Sequence, residues 1–357
     1  MTDHARFDGA VPDHSTFSKN RHGRFRDSDL LRRLFEATVE RCLSEGLVGG
    51  EGFAVDGSLI RADANRQRGQ TELPSDVSSR AVREYFEVLD DAAFGGASPV
   101  APKVISPTDP AARWTAQHGG AAEFCYQTNY LIDLDHGVIV DVEATTAVRQ
   151  AEVTAAKRMI ERAQDRYGLW PERLAADTGY GSAEMLAWLV HEKGIEPHVP
   201  VFDRSARNDG TFNRDEFRYD AMRDIVRCPG GKPMHTSGTP VNGGTTVYYR
   251  ASKHDCSGCA LKPRCCPKEP QRRVPRSIHE GARDLARDLS KTDAWLVSRR
   301  ERKKVEMLFA HLKRILKLDR LRLRGPCSAR DEFHLAAAAQ NLRRMAKLLS
   351  GPKPITA

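Results

Sequence analysis

The sequence predicts an α/β protein, a mixed sheet flanked by helices with a Cys-rich insertion, on three observations. Short apolar runs of strand length are interleaved with stretches of helical period. Two of those runs are joined by Asp-Leu-Asp-His-Gly, a hairpin turn with Gly137 in it. Four of the eight cysteines crowd into Cys256, Cys259, Cys265 and Cys266, within a stretch rich in Gly, Pro and Lys. At 357 residues, 40% hydrophobic and 29% charged, the chain has material for one substantial core plus an accessory module. No run reaches the roughly 18 to 20 apolar residues that span a bilayer, and Met1 to Pro12 contains no apolar leader. A cytoplasmic chain with no membrane contact is expected.

In chain order, residues 29–43 repeat apolar side chains at helical spacing and end by Gly46. The run Gly-Phe-Ala-Val-Asp-Gly-Ser-Leu-Ile then reads as a strand, with Phe53 and Val55 facing opposite to Ala54, Asp56 and Ser58. Residues 61–119 read as an exposed connection with one helix through Val82, Phe86 and Leu89. Phe124 to Leu134 and Val138 to Glu143 form the hairpin. A helix (148–167), a short strand (173–177), a helix (183–191) and a strand (196–201) follow. That order is the order of a ribonuclease-H-like mixed sheet. A long helix begins between His279 and Asp284, breaks near Ser290 to Thr292, and carries Val305, Leu308, Phe309, Leu312, Ile315 and Leu316 as one apolar stripe up to Leu318. A final helix covers Glu332 to Leu349.

Charge is segregated. Residues 271–330 hold 18 basic and 7 acidic side chains, whereas residues 1–270 hold 34 basic and 39 acidic. A local positive field of that kind suits a polyanion, nucleic acid first among them. Three acids stand at informative places: Asp56 inside the first strand, Asp177 at the end of a later one, and Glu306 on the basic helix. Carboxylates converging at strand ends can hold two divalent cations, Mg2+ or Mn2+. Such a pair activates a water or a 3'-hydroxyl and neutralises the leaving oxygen. The ordinary readings are a turn residue at Asp56, a helix cap at Asp177, and an ion pair between Glu306 and Arg302. Arg299, Arg302, Lys303, Lys313 and Arg314 surround Glu306 in sequence and suit a phosphate backbone.

The chain resembles bacterial insertion-sequence transposases of the Asp-Asp-Glu type. The matching strings are DHSTFSKNR at 13–21, FAVDGSLI around Asp56, SPTDPAARW at 106–114, YQTNYLIDLDHGVIVDVEAT at 126–145, LAADTGYGS around Asp177 and RKKVEMLFAHLKR around Glu306. Arg302, Glu306 and Lys313 fit the family's Arg-x3-Glu-x6-Lys pattern, while Arg299 stands where the pattern has Tyr. The resemblance implies that Asp56, Asp177 and Glu306 are a metal-binding catalytic triad, with Arg302 and Lys313 contacting DNA. It implies cleavage and strand transfer on double-stranded DNA, at element ends and target, by a homo-oligomer associated with the nucleoid. Family members begin with a helical region ahead of DHSTFSKNR, and about twelve residues precede it here, so a shortened copy is expected. An inactive DNA-binding remnant, or a metal-dependent nuclease without strand transfer, are the alternatives. The expected division is a residual N-terminal helical region (1–50), the first part of the catalytic domain (51–202), the insertion (203–275) and a C-terminal helical part completing the domain (276–357).

Within the insertion, Cys228, Cys256, Cys259 and Cys265 follow C-x27-C-x2-C-x5-C, a spacing that can close a tetrahedral zinc site. Cys266 or His254 could replace the last ligand. Such a metal would staple a segment poor in large apolar residues. Cys42, Cys125 and Cys327 stand alone and read as packed side chains. His118, Trp114 and Tyr180 receive no chemical role.

Overall fold

The structure is a computed structural model that describes residues 28–94, 102–116, 120–203 and 208–350, together with 15, 16, 19 and 20. The DHSTFSKNR motif and His118 therefore lie largely outside the described residues. Strand β1 (Gly52–Arg61) is the centre of the sheet. It pairs antiparallel with β3 (Glu123–Asp133) on one side and parallel with β5 (Arg173–Ala175) on the other. Beyond β5 lies β6 (Glu196–His198), also parallel. On the far side of β3, β2 (Arg113–Thr115) pairs with residues 123–125 and β4 (Ile139–Thr146) with residues 126–132. The hairpin turn has Gly137 at φ +69°, the left-handed conformation its position requires.

Alternation along β1 sends its two rows of side chains into two cores. Ala54 and Ile60 join Tyr126, Tyr130 and Ile132 beneath three helices: α1 (Leu30–Ser44), α8 (Asp293–Arg314) and α9 (Pro326–Leu349). Phe53 and Val55 join Leu131 and Val140 against α3 (Arg149–Tyr167), α4 (Ala183–Ala187) and α7 (Glu280–Leu289). A short helix, α2 (Arg80–Glu87), adds Tyr85 to the first core. At Ile139 the backbone of β4 is paired by a helix side chain. Asn341 of α9, fully buried, accepts from the Ile139 N–H and donates to the Ile139 carbonyl, each at 2.8 Å. At that residue the strand edge is thus satisfied by a helix instead of another strand.

Several expectations are corrected. The helix expected over 183–191 is α-helical only to Ala187 and continues as a π-helical turn to Lys193, ended by Gly194 at φ +67°. The break expected near Ser290 to Thr292 does divide the long basic helix in two, with Thr292 capping the second part through the Trp295 N–H. It stops at Arg314, because Lys317 at φ +59° turns the chain back, leaving Ile315 exposed and Leu318 buried. The last helix starts at Pro326, six residues ahead of Glu332, where proline at the first turn costs no hydrogen bond. Residues 104–115 are no exposed connection, since Ile105, Asp109, Ala111 and Ala112 are buried.

The stretch between β6 and α7 is a module with its own core. A three-stranded sheet, β7 (Arg218–Asp220), β8 (Ile225–Arg227) and β9 (Pro233–Met234), lies beside a hairpin of β10 (Thr246–Arg250) and β11 (Arg273–Ser277). Two short helices, α5 (Lys253–Ser257) and α6 (Lys262–Cys265), complete it. Phe212, Phe217, Val226, Met234, Tyr249 and Val274 pack with Cys256, Cys265 and Cys266. The segment, expected to be poor in large apolar residues, thus buries a small cluster of its own. At its neck, Asp203 meets Arg287 at 3.0 Å and Arg283 at 3.4 Å, while Arg214 meets the buried Glu280 at 2.6 Å.

Candidate acidic site and cysteine cluster

Parallel pairing of β1 with β5 puts Gly52 beside Arg173, Phe53 beside Leu174 and Ala54 beside Ala175. Two residues further on, the same register sets Asp56 level with Asp177, where β5 has ended and its chain turns away. The sheet thus brings Asp56, within β1, beside Asp177, just past the end of the parallel strand β5, where such sheets place ligand-facing groups. Asp56 accepts from the Gly57 N–H at 2.8 Å, and Asp177 from the Gly179 N–H at 2.6 Å, so each also fulfils the turn or cap role its position suggests. Burial pushes the Asp56 carboxyl up to about 7; the Gly57 N–H opposes this, Asp177 adds to it, Arg302 opposes it, and Glu152 adds a smaller rise.

The turn after Asp177 is pinned from outside. Arg149, at the start of α3, donates to the carbonyls of Thr178 and Gly179 while its guanidinium lies 4.0 Å over the Phe202 ring. Gly181 lets the Pro200 carbonyl approach to where a Cβ would stand, at 2.0 Å from it, so no larger residue fits.

Helix α8 crosses the same edge. Its first half is docked by Ser298, which takes a hydrogen bond from Arg173 at 2.8 Å and lies 2.7 Å from His198 Nδ1, and by Glu301, paired with Arg173 at 2.9 Å. One residue on, Arg302 reaches Asp56 at 3.9 Å. Glu306 follows one turn later, on an exposed position. Further along, Phe309 stacks 5.5 Å from Tyr130, the partner of Asp56 across the sheet. Helix and strand thus run side by side past Asp56. Arg302 pairs with Asp56 and not with Glu306, which replaces the expected i to i+4 ion pair. Arg299, Lys303 and Arg314 are exposed and make no ion pair among the described residues. Lys313 lies apart from the aspartates, beside Cys125 and Asp319 at the far end of β1.

A fourth acid was not singled out in the sequence. Glu152, on the first turn of α3, is raised by burial, lowered by the Tyr180 and Gln127 side chains, and raised again by Asp177. The Tyr180 hydroxyl is fully buried without a well-aligned partner, and is held far above its ordinary range by burial, then by Glu152, Asp56 and Asp177. The signal for Glu152 was available only as an acid four residues after Val148, indistinguishable from an ordinary first-turn acid. Among the described residues, no three His, Cys, Asp or Glu side chains already stand in metal-holding geometry.

In the module, the Cys228 and Cys259 sulfurs lie 3.7 and 3.9 Å from one point, where a Cβ on Gly230 would be. Burial pushes the Cys265 thiol up to about 12, with Cys266 and then Cys228 among the lesser causes. Burial also raises Cys266, with Cys256 adding to it. Five sulfurs therefore share one neighbourhood. Cys228 and Cys259 each open a β-turn, with the Gly231 N–H on the Cys228 carbonyl at 2.8 Å and the Lys262 N–H on the Cys259 carbonyl at 3.0 Å. His254 is exposed. Cys42 and Cys125 are buried and Cys327 half-buried, each away from this cluster.

Residues 227–346 match the family model of the transposase DDE domain, a stretch that contains Glu306 and all five clustered cysteines but neither Asp56 nor Asp177. No curated protein and no solved structure matches the chain.

Proposed function

From the match over residues 227–346, which supports a DDE-type transposase, we propose that this chain cuts and joins DNA by metal-dependent phosphoryl transfer at Asp56, Asp177 and Glu306. The observation that carries the reading is the register that levels Asp56 with Asp177 beneath the helix bearing Glu306. The strand order β4, β3, β1, β5, β6, with one hairpin antiparallel and two strands parallel to β1, supports a ribonuclease-H-like assignment. The donor set fits Mg2+ or Mn2+: hard oxygen ligands, of which Asp56 and Asp177 are partly buried and repel each other, a repulsion that a cation would relieve. Such ions, when bound, activate the attacking oxygen and neutralise the leaving one. The chain's own part is positional. Arg302 holds Asp56 and lines the path of a phosphate, Arg149 fixes the turn bearing Asp177, and Arg299, Lys303 and Arg314 present unpaired charge to a DNA backbone. Binding of two DNA ends calls for a homo-oligomer acting on double-stranded DNA in the nucleoid.

The cysteines fit Zn2+, with Cys228, Cys256, Cys259 and Cys265 as ligands and Cys266 as the substitute for Cys265, because thiols that burial keeps protonated ionise beside a metal.

The test is nicking and joining of supercoiled DNA in Mg2+ or Mn2+. Glu306→Gln, Asp56→Asn and Asp177→Asn should each lower the rate at least about a hundredfold while leaving DNA binding in place. Equal rates in wild type and variants would refute the assignment. Nicks without joined products would favour a plain nuclease, and salt-sensitive binding without nicks a catalytically silent remnant.

A further inference from the structure

A cavity of about 640 Å³ opens where β1 ends at Arg61, and its walls carry five arginines against two carboxylates. Asp63 is one of the two, and it is already committed: Arg320 and Arg324 each pair with it at 2.8 Å, and Arg324 Nε also donates to its backbone carbonyl at 2.9 Å. The pair of guanidinium groups is thereby fixed in place. Arg66 and Arg68 sit on the opposite rim, exposed and without an ion pair among the described residues. Their short 3-10 turn is capped by Asn65, which accepts from the Gln67 N–H at 2.9 Å, so the rim is preordered. Trp114 forms part of the wall. Its ring is half-buried, edge-on to Phe124 at 5.2 Å, and covered on another side by the Arg66 guanidinium at 5.1 Å from the ring centre.

A duplex cannot enter a cavity of this size, whereas a single nucleotide can. An indole flanked by arginines is the combination that takes unpaired bases: the ring stacks on any base, and the cations track the phosphates. The Arg66 guanidinium occupies the place of a stacked base. Its cation–π contact at an exposed site is weaker than base stacking on an indole, so an arriving base displaces it toward the neighbouring phosphate. Five residues of strand separate Asp56 from Arg61 at the cavity wall, about 17 Å along β1. That is about five steps of B-form rise.

We infer that Trp114, Arg66 and Arg68 form a subsite for an unpaired nucleotide of the DNA whose phosphate is processed at Asp56 and Asp177. The subsite distinguishes a frayed or forked end from continuous duplex, and it rests on the reading of the chain as a DNA-processing protein. Fluorescence anisotropy, with Ca2+ in place of Mg2+, compares a forked oligonucleotide with a blunt duplex. Trp114→Ala should weaken the fork about tenfold or more and the duplex hardly at all, and Trp114→Phe should restore most of the loss. Arg66→Gln with Arg68→Gln should weaken the fork and lower the slope of its log affinity against log salt by about 1.4, at about 0.7 per phosphate contact. If Trp114→Ala fails to fold, Trp114→Phe and the arginine pair decide the matter. Unchanged fork affinity, or equal losses on fork and duplex, in folded variants overturns the subsite. Plasmid nicking by the wild type separates the two readings: nicking with no fork preference sinks the subsite alone, and fork preference without nicking sinks the catalytic assignment alone.

Discussion

Asp109 shows what one buried carboxyl can tie together. It is fully buried, accepts from the Tyr126 hydroxyl and, at 3.3 Å, from the Gly325 N–H, and so joins the SPTDPAARW segment to β3 and to the entry of α9. Burial pushes it up to about 7, against the hydrogen bonds from Tyr126 and Gly325 and the charge of Arg324. A raised carboxyl favours the folded state while protonated. Its contribution is therefore full below about pH 4 and lost as pH climbs to about 7. Asp109→Asn should gain on the wild type across that window, by on the order of 4 kcal/mol at most, in urea unfolding followed by circular dichroism. A constant offset between the two proteins would show that the carboxyl does not stay protonated. The sequence quoted the segment but gave no hint of this role, because a buried Asp and a turn Asp before Pro110 look alike in sequence. The same ambiguity hid Glu152. Asp56 and Asp177 stand out in the sequence because each interrupts or ends an apolar run.

At the scale of elements, Asn341 pairs the backbone of β4 where the strand begins, at Ile139. Asn341→Leu leaves the N–H and the carbonyl of Ile139 buried without partners, and each such loss costs about 1–3 kcal/mol. A drop of about 2–4 kcal/mol in unfolding free energy is expected, with Asn341→Ala close behind. A loss under about 0.5 kcal/mol would mean that water replaces the amide. Period and alternation revealed β1, the β3–β4 hairpin and the helices that pack on them, because each buries one face. They missed β2, whose three residues are too few to show alternation, and the π-helical turn after Ala187, whose apolar pattern matches an α-helix until Gly194 stops it. The break between α7 and α8 was legible in Ser290 to Thr292, but the stop after Arg314 was not. It depends on a left-handed Lys317, which residue type does not announce.

Across the whole molecule, the cysteine module and the acidic site belong to different cores and should respond to different reagents. If four of the five sulfurs hold zinc, elemental analysis after dialysis should find about one metal per chain, and a strong chelator should lower the thermal midpoint of the module before that of the sheet. Cys259→Ser should abolish the metal, and a metal-free wild type with an unchanged midpoint would count against it. The module leaves the sheet just after β6 and returns at α7, and its two stems are clasped by Asp203 with Arg283 and Arg287. Because this clasp closes below the inserted residues, the chain that leaves after β6 and the chain that returns at α7 meet although they are far apart in sequence. A chain with residues 208–277 replaced by a short flexible link should still seat α8 on β1, so the inserted portion could be exchanged between proteins like a tool head on a fixed handle.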